Sequence, residues 1–454
     1  MTATSPSTAP APLTRASIAR QAWPIILANA SVPLLGLVDT AVIGHFGSTA
    51  DLGALALGAL LFNFIYWSFG FLRMSTTGFV AQAAGAGDEA EVRAALLRPL
   101  LLGVALGLAV WVLQWPLVAG YFALMDASAP VAETGTAYFS ARVWGAPAAL
   151  ALYALCGALI GLGRSRTLLA VQLLLNGLNA ALDVYFAGVL DLGARGIGLG
   201  TAVAEWVTCV VAAWLVWRRL RERHRDGEPF LPWARIRDAA RLRRTLAANG
   251  DIMIRTLCLL AGFGFFARQG AGLGDATLAA NHLLLQLVSF SAFFLDGFAF
   301  VAEARVGAAV GARDRALFRR AVRLTSELAG VTAAALAIGL WLAGGVIIGW
   351  LTSLPDVAAM AHAYLPWAAL YVLLSVAAFQ LDGVFIGATG TAQMRNAAVV
   401  SLAVFALCAW TGANAWGNHG LWAAMVVFVI ARAAALLPYY RRLEAGLDRR
   451  DTHS

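Results

Sequence analysis

Long apolar runs separated by short polar breaks follow one another along the whole sequence. An α-helix rises 1.5 Å per residue, so about 20 mostly apolar residues suffice to cross a bilayer. Twelve runs reach that length. Their predicted bounds are 17–45, 52–80, 92–124, 131–161, 165–188, 196–220, 242–270, 276–308, 316–351, 357–387, 392–413 and 419–441. The pattern predicts an all-α polytopic membrane protein with twelve transmembrane helices.

Composition and charge support this class. Of the 454 residues, 60% are hydrophobic and 13% are charged, whereas soluble domains average about 25% charged residues. All 33 basic residues are arginines, and they concentrate in the loops after even-numbered segments. The positive-inside rule therefore predicts that both termini are cytoplasmic. It also explains the net charge of +8 better than binding to nucleic acid does.

The two halves of the chain repeat each other. The stretch 85–88 (GAGD) matches 311–314 (GARD), and 157–161 (GALIG) matches 383–387 (GVFIG), both at a shift of 226 positions. Because each copy holds six helices, the two copies are parallel and related by an axis along the membrane normal. We predict an N-terminal lobe (16–220), a cytoplasmic linker (221–241) and a C-terminal lobe (242–443). A disordered cytoplasmic tail is expected at 1–15 and a second cytoplasmic tail at 444–454. The arginines of the linker favour a solvated linker over a contact with anionic lipid.

The first segment carries a proline and an acid within apolar sequence. Pro33 removes one backbone hydrogen bond and predicts a helix kink. Asp39 lies six residues later, and a carboxylate in hydrocarbon costs at least about 2.5 kcal/mol unless it finds a partner or a polar cavity. Asp39 is therefore expected to act in a functional site, with attachment of neighbouring helices as the alternative.

Polar residues of the fifth segment share one helix face. Gln172, Asn176, Asn179 and Asp183 follow the spacing i, i+4, i+7, i+11, which is typical of one face of a helix. Asp39, Asn179, Asp183 and Thr201 of the sixth segment would together supply oxygens that suit Na⁺, while two nearby acids could equally share and carry H⁺. An interhelical hydrogen-bond network without ion binding is the structural alternative.

The second half has a different set of charges. Arg255, Asp296, Glu303 and Asp382 lie in its predicted membrane segments. Since an unpaired arginine in a membrane is costly, Arg255 is expected to pair with an acid there, for structure or for gating. The repeat mates of Asp39 and Asp183 are Phe and Ala at positions 265 and 409, so the predicted ion site belongs to the first lobe.

Several motifs resemble one transporter family. SVPLLGLVDTAVIGHFG around Pro33 and Asp39, NGDIMIRTL at 249–257, FFLDGFAFVAEARVGAAVGARD at 293–314 and LDGVFIGATGTAQMRN at 381–396 are similar to the multidrug and toxic compound extrusion (MATE) family. The last three resemble its DNA-damage-inducible F (DinF) branch. The resemblance implies a V-shaped pair of six-helix lobes. It also implies export of hydrophobic, often cationic compounds, driven by inward flow of H⁺ or Na⁺.

The resemblance also assigns roles to residues. It implies a cation site at Asp39, Asn179, Asp183 and Thr201, the last on the sixth helix, for H⁺ or for Na⁺ as a bound metal ion, coupled to bending at Pro33. Drugs would bind in the first lobe or between the lobes. The side chains expected in that substrate cleft are Tyr66, Arg73, Tyr153, Asn176 and Trp206.

The sequence therefore predicts a monomeric antiporter of the bacterial inner membrane. Its partners would be amphipathic drugs or metabolites and membrane lipids, and no cofactor is expected besides the coupling ion. No phosphate loop, HExxH motif or Ser/His/Asp spacing points to an enzyme. A flippase for lipid-linked precursors is the alternative function, and it would require a strongly basic central cleft.

Overall fold

In the part of the chain that the structure describes, twelve helices are long and apolar enough to cross a membrane, as predicted. The computed structural model describes residues 13–125, 128–224 and 229–447, and no strand occurs in these ranges. We number the spanning helices α1 to α12. They are Arg15–Phe46, Ala50–Gly85, Glu89–Val112, Ala129–Gly161, Ser165–Val189, Gly193–Glu222, Ala239–Gly272, Asp275–Gly311, Arg315–Leu351, Pro355–Gly387, Thr391–Trp416 and Asn418–Gly446.

Three of the differences between the predicted and the observed helix bounds affect the predicted organisation of the chain. The predicted segment 92–124 divides into α3 and a short helix, Gln114–Leu124, because Pro116 has no N–H to continue the ladder past Val112. At the N-terminus the helix already begins at Arg15, where the Thr14 side chain caps it. At the C-terminus α12 continues to Gly446, into the predicted tail. The remainder of both predicted tails, 1–12 and 448–454, lies outside the described residues.

Both halves of the chain pack their helices through the same close contacts. A Cβ added to Gly157 would lie 2.4 Å from the carbonyl oxygen of Arg73, and one on its repeat mate Gly383 would lie 2.5 Å from that of Ala299. Arg73 and Ala299 are themselves 226 positions apart. Contacts this short require glycine, because they bring two helix backbones together. The repeat in the sequence therefore corresponds to a repeated packing of α4 on α2 and of α10 on α8.

The halves meet near one side of the membrane. We call this side the terminal face, because α1 begins there and α12 ends there. A Cβ on Gly85 would lie 2.0 Å from the carbonyl oxygen of Ala308, and one on Gly311 would lie 1.9 Å from that of Gln82. The contact is thus nearly symmetric between α2 and α8, and it closes the space between the halves at the terminal face.

The segment predicted as a solvated linker is attached to the loop after α2. Arg235, in the short helix Trp233–Ile236, binds the Asp88 carboxylate with contacts of 2.5 and 2.6 Å. Arg223 forms a two-point ion pair with Glu89, at 2.6 and 2.9 Å. The described part of the linker is therefore held on the N-terminal half by ion pairs.

The Asp88 ion pair predicts a pH-dependent contribution to stability. Burial raises the pKa of Asp88, but hydrogen bonds from Arg235 and from the Glu91 N–H outweigh burial and hold that pKa below its usual value. The contribution is therefore present above about pH 4 and is lost as the pH falls through the lowered pKa. Asp88→Asn preserves the helix cap but removes the ion pair. Because the pair is partly exposed, we expect a loss of ~0.2–1 kcal/mol at pH 7.

The measurement is the free energy of unfolding of wild type and Asp88→Asn in detergent, from pH 7 down to pH 3. The difference between the two proteins should shrink toward zero as the pH falls. A difference that is constant across this range would show that the ion pair does not stabilise the fold.

Candidate cation-coupling site

Two carboxyl groups of different helices face each other in the first half of the chain. The Asp39 side chain on α1 lies within hydrogen-bonding reach of Asp183 on α5. Asp183 is fully buried, at 0% exposed. Two carboxylates cannot hydrogen-bond to each other without a proton, since both only accept. Asp39 Oδ1 and Asp183 Oδ2 accordingly have no hydrogen-bond partner among the described residues.

An amide and a hydroxyl group complete this cluster. Asn179 Nδ2 donates to Asp183 Oδ1 at 3.3 Å and to Thr201 Oγ1 of α6 at 3.0 Å. Thr201 in turn donates to the carbonyl of Ile197 at 2.9 Å, which leaves Asn179 Oδ1 without a partner. The four residues predicted for the cation site are thus adjacent in space. One oxygen each of Asp39, Asn179 and Asp183 is buried without a hydrogen-bond partner among the described residues. We call these three residues and Thr201 the cation cluster, after the predicted site.

The backbone around Asp183 is adapted to this arrangement. On α6, a Cβ at Gly200 would lie 2.4 Å from Asp183 Oδ1, so glycine is needed for α6 to approach the carboxylate. Directly after Asp183, residues Val184–Val189 form a π-helical turn. Such turns are rare and occur frequently at functional sites. Neither feature was singled out in the sequence, although the GLGT stretch before Thr201 carried the signal for the first.

The polar face of α5 also contacts α1 close to its proline. Asn176 Nδ2 donates to Ser31 Oγ at 2.7 Å, and Gln172 donates to Asn176 Oδ1 at 3.2 Å. Ser31 stands two residues before Pro33, and α1 continues as one helix through that proline. The predicted stripe of four polar residues on α5 therefore contacts both α1 and α6.

A half-buried arginine on α4, Arg142, accompanies the two carboxyls, and the sequence reasoning did not select it. Arg142 donates to the Tyr138 hydroxyl and lies 4.5 Å from the centre of the Phe62 ring. It is close enough to Asp39, Asp183 and Glu205 to interact with them electrostatically. The buried Glu205 Oε2 has no hydrogen-bond partner among the described residues. The signal was present in the sequence, since an arginine inside a membrane segment is costly without a partner.

The residues expected in the substrate cleft fall into different environments. Tyr66 and Tyr153 are half-buried, and the Tyr66 hydroxyl has no partner within the described ranges. Asn176 belongs to the polar contact between α5 and α1. Trp206 donates to the carbonyl of Trp144 at 2.9 Å and lies on the exposed face of α6. The two tyrosines are near Arg142 and Glu205, so they share a polar surface with the cation cluster.

Charges in the second half form a separate network. Arg255 was expected to pair with an acid of this half, and it is paired with Asp382. Arg432 of α12 lies 3.6 Å from the same carboxylate. Arg432 was not selected from the sequence. Asp296 is close enough to Arg73, Arg255, Glu303 and Asp382 to interact with their charges. The buried charges of this region are thus largely compensated.

Arg73 connects the two halves. Its guanidinium lies 3.0 Å from Glu303 Oε2 on α8 and 3.9 Å from the centre of the Phe300 ring. The side chain of Glu303 is only 1% exposed and that of Arg73 is 13% exposed. The sequence placed Arg73 in the cleft and Glu303 in a network of the other lobe. The structure joins them in one buried ion pair between the halves.

Removing Arg73 alone should therefore destabilise the protein strongly. Arg73→Gln leaves Glu303 buried and uncompensated, which costs about 3–5 kcal/mol. Arg73→Gln/Glu303→Gln removes both charges and should recover most of that loss. The measurement is the free energy of unfolding of both variants and of Glu303→Gln in detergent. A double variant as unstable as Arg73→Gln would contradict the pairing.

The donor set of the cation cluster suits a small ion of low charge. In the described part of the chain, no group of three or more His, Cys, Asp or Glu side chains is arranged to hold a metal ion. The cluster offers two carboxylates, one amide oxygen and one hydroxyl. Hard oxygen ligands of this kind fit Na⁺, and the facing carboxyls of Asp39 and Asp183 fit a shared proton.

Known proteins are similar to this chain in sequence over most of its length. The family model MatE matches residues 24–185 and 255–410. The DNA damage-inducible protein F of Escherichia coli is 38% identical over 422 residues, which are 93% of this chain and 91% of that protein. A probable multidrug resistance protein NorM of Xanthomonas axonopodis pv. citri is 28% identical and covers 89% of each chain.

Solved structures share the fold. A Vibrio cholerae MATE transporter, VcmN, in the bent form has a TM-score of 0.84 at 22% identity, covering 96% of this chain and 98% of its own. A MATE structure in complex with MaD3S has a TM-score of 0.85 at 18% identity and covers 95% and 96% of the two chains. With the family match over both halves, these findings show that the chain belongs to the MATE family of membrane transporters, on its DinF branch.

Proposed function

We propose that this transporter is an antiporter that exports amphipathic, often cationic organic compounds in exchange for H⁺ or Na⁺. The facing carboxyls of Asp39 and Asp183, with their unpartnered oxygens, carry the proposal. Binding a cation there neutralises charges that are otherwise held at high cost inside the membrane. The relatives named for multidrug resistance support export of organic compounds.

The position of the pair explains how ion binding could change the conformation. Asp39 is on α1, whose first turns pack against α8 of the other half: a Cβ on Gly297 would lie 2.3 Å from the Ile26 side chain. A charge change at Asp39 alters the contact of α1 with α5, and Pro33 lies between Ile26 and Asp39 as a point of weaker backbone bonding. Ion binding at one lobe is thereby transmitted to the interface between the halves.

Alternating access gives the direction of exchange. The halves touch at the terminal face, which the positive-inside rule assigns to the cytoplasmic side of the bacterial inner membrane. The state described here is then the one in which the cleft opens outward. The ion enters from outside, neutralises the pair and favours release of the drug, and the return to the inward state delivers the ion to the cytoplasm.

The buried arginines argue against a flippase for lipid-linked precursors. Such a protein needs excess positive charge in the central cleft to hold a pyrophosphate group. Arg73 is paired with Glu303, and both Arg255 and Arg432 share Asp382. Asp296 adds a further acid to the same region.

Transport of ethidium in everted vesicles tests the proposal, with a pH gradient and a Na⁺ gradient imposed separately. One gradient should drive ethidium into the vesicles, and that gradient identifies the coupling ion. Vesicles without the protein, and vesicles in which the gradient is collapsed, are the controls. Absence of transport under both gradients, in vesicles that contain folded protein, would overturn the proposal.

A further inference from the structure

An arginine-lined cavity lies at the terminal face between the start of α1 and the first turns of α9. Its volume is about 790 Å³. Its charged lining consists of Arg15 from α1 and Arg319, Arg320 and Arg323 from α9. It thus joins the N-terminal and C-terminal halves, and it is separate from the cation cluster and from the ion pairs of the cleft.

The charge of this cavity is only partly compensated. Glu327 accepts from Arg15 at 2.7 Å and from Arg323 at 2.7 Å, while Glu444 is paired with Arg319. Glu444 is shared with Arg315, which lies outside the lining. Among the described residues, the four lining arginines therefore face at most two glutamates, an excess of at least two positive charges (4 − 2 = 2). Within the described ranges, the Arg320 guanidinium has no ion-pair partner. The cavity therefore favours an anion.

The same helix face continues into apolar surface that faces the lipid. Residues at positions 320, 324, 331 and 338 share one face of α9. Leu324 lines the cavity, and Val331 and Ile338 beyond it are 69% and 55% exposed. An anion held by the arginines would thus sit where a spanning helix passes from head groups to hydrocarbon.

We propose that this cavity binds the phosphate of an anionic phospholipid from the leaflet at the terminal face. Guanidinium groups match phosphate oxygens with two parallel hydrogen bonds, and basic clusters beside membrane helices attract anionic lipids. The acyl chains would lie along Leu324 and Val331. Because Arg15 belongs to one half and Arg320 to the other, a bound lipid connects the halves on the side where they already touch.

This geometry has a consequence for the transport cycle. A ligand that binds one conformation better than another shifts the population toward it. A lipid phosphate shared by α1 and α9 requires the closed terminal face, so anionic lipid should favour that state. The inference concerns a site other than the coupling site and stands independently of the identity of the exported compound.

Lipid binding can be measured on the purified full chain in neutral detergent. The thermal unfolding midpoint is followed while dioleoylphosphatidylglycerol, dioleoylphosphatidylcholine or inorganic phosphate is titrated. Phosphatidylglycerol should raise the midpoint, and phosphatidylcholine should do so far less. In Arg320→Gln/Arg323→Gln the apparent affinity should fall about fivefold for each arginine, or about 25-fold in total.

The matched control is Arg243→Gln/Arg441→Gln, which removes two exposed arginines at the same face and should keep the wild-type affinity. Arg320→Gln alone serves if the double variant does not fold. Equal losses in the test and control variants would mean that general surface charge attracts the lipid. That result, an unchanged affinity in the test variant, or a shift that inorganic phosphate reproduces fully, would overturn the proposal.

Discussion

Replacing Asp39 with asparagine should reduce gradient-driven efflux to the level of vesicles that lack the protein. The amide cannot take up a proton or offer a charged oxygen, so the pair with Asp183 loses the exchangeable charge that a gradient can act on. Asp183→Asn should have the same effect, because the two carboxyls bind one ion together. Ethidium transport in everted vesicles under the gradient that drives the wild type is the measurement.

Two further variants separate coupling from folding. Asp39→Glu preserves a carboxyl group and should retain part of the transport. Asp356→Asn makes the same chemical change at an exposed acid in the first turn of α10 and should leave transport unchanged. The thermal unfolding midpoint of purified Asp39→Asn should stay close to that of the wild type if the acid serves coupling and not folding. Normal gradient-driven efflux by Asp39→Asn would exclude the cluster as the coupling site.

Gly311→Ala should impair transport by preventing closure at the terminal face. The added methyl group would lie 1.9 Å from the Gln82 carbonyl oxygen and 2.7 Å from its carbon. These are backbone atoms, so no side-chain rotation can relieve the overlap, and α2 and α8 have to separate. We expect a severe loss of efflux with little loss of folded protein, because the inner packing of each half is untouched. Gly85→Ala should behave alike.

The conformational part of this prediction can be measured directly. Spin labels at positions 166 and 312, which are exposed on different halves at the terminal face, report the separation of the halves once the four cysteines have been replaced. In Gly311→Ala the distance distribution should move to longer values. Gly330→Ala is the control, since nothing lies within 4 Å of a Cβ at that position of α9. A distribution identical to the wild type would mean that the contact does not limit closure.

Local sequence carries enough information for the helices but not for all of their breaks. An apolar run of sufficient length has to satisfy its backbone internally, so it folds as a helix wherever it stands. The break at Leu113 follows from the one hydrogen bond that Pro116 cannot form. This proline lies inside a long apolar run, so the sequence pattern alone predicted one continuous helix. The π-helical turn after Asp183 depends on how α5 packs against α6, which the local sequence does not contain.

The site could be predicted as far as its residues belong to one helix. The stripe from Gln172 to Asp183 follows from helical periodicity, and it does contact α1 and α6. Partners from distant parts of the chain could not be read in this way. Arg73 and Glu303 are separated by 230 positions, and the acids near Arg142 all come from other helices. The roles of the predicted site residues stay predictions until the variants are measured.

The contact between Gly85 and Gly311 has a further meaning. Gly85 packs on the backbone of Ala308, three residues before Gly311, and Gly311 packs on the backbone of Gln82, three residues before Gly85. The contact surface is therefore self-complementary. Such isologous contacts are typical of two-fold homodimers. The chain therefore carries the interface of a symmetric dimer inside one molecule. Because the two repeats belong to one chain, their sequences can differ. The first repeat has Asp39 and Asp183 where the second has Phe265 and Ala409, a difference that two identical chains could not have.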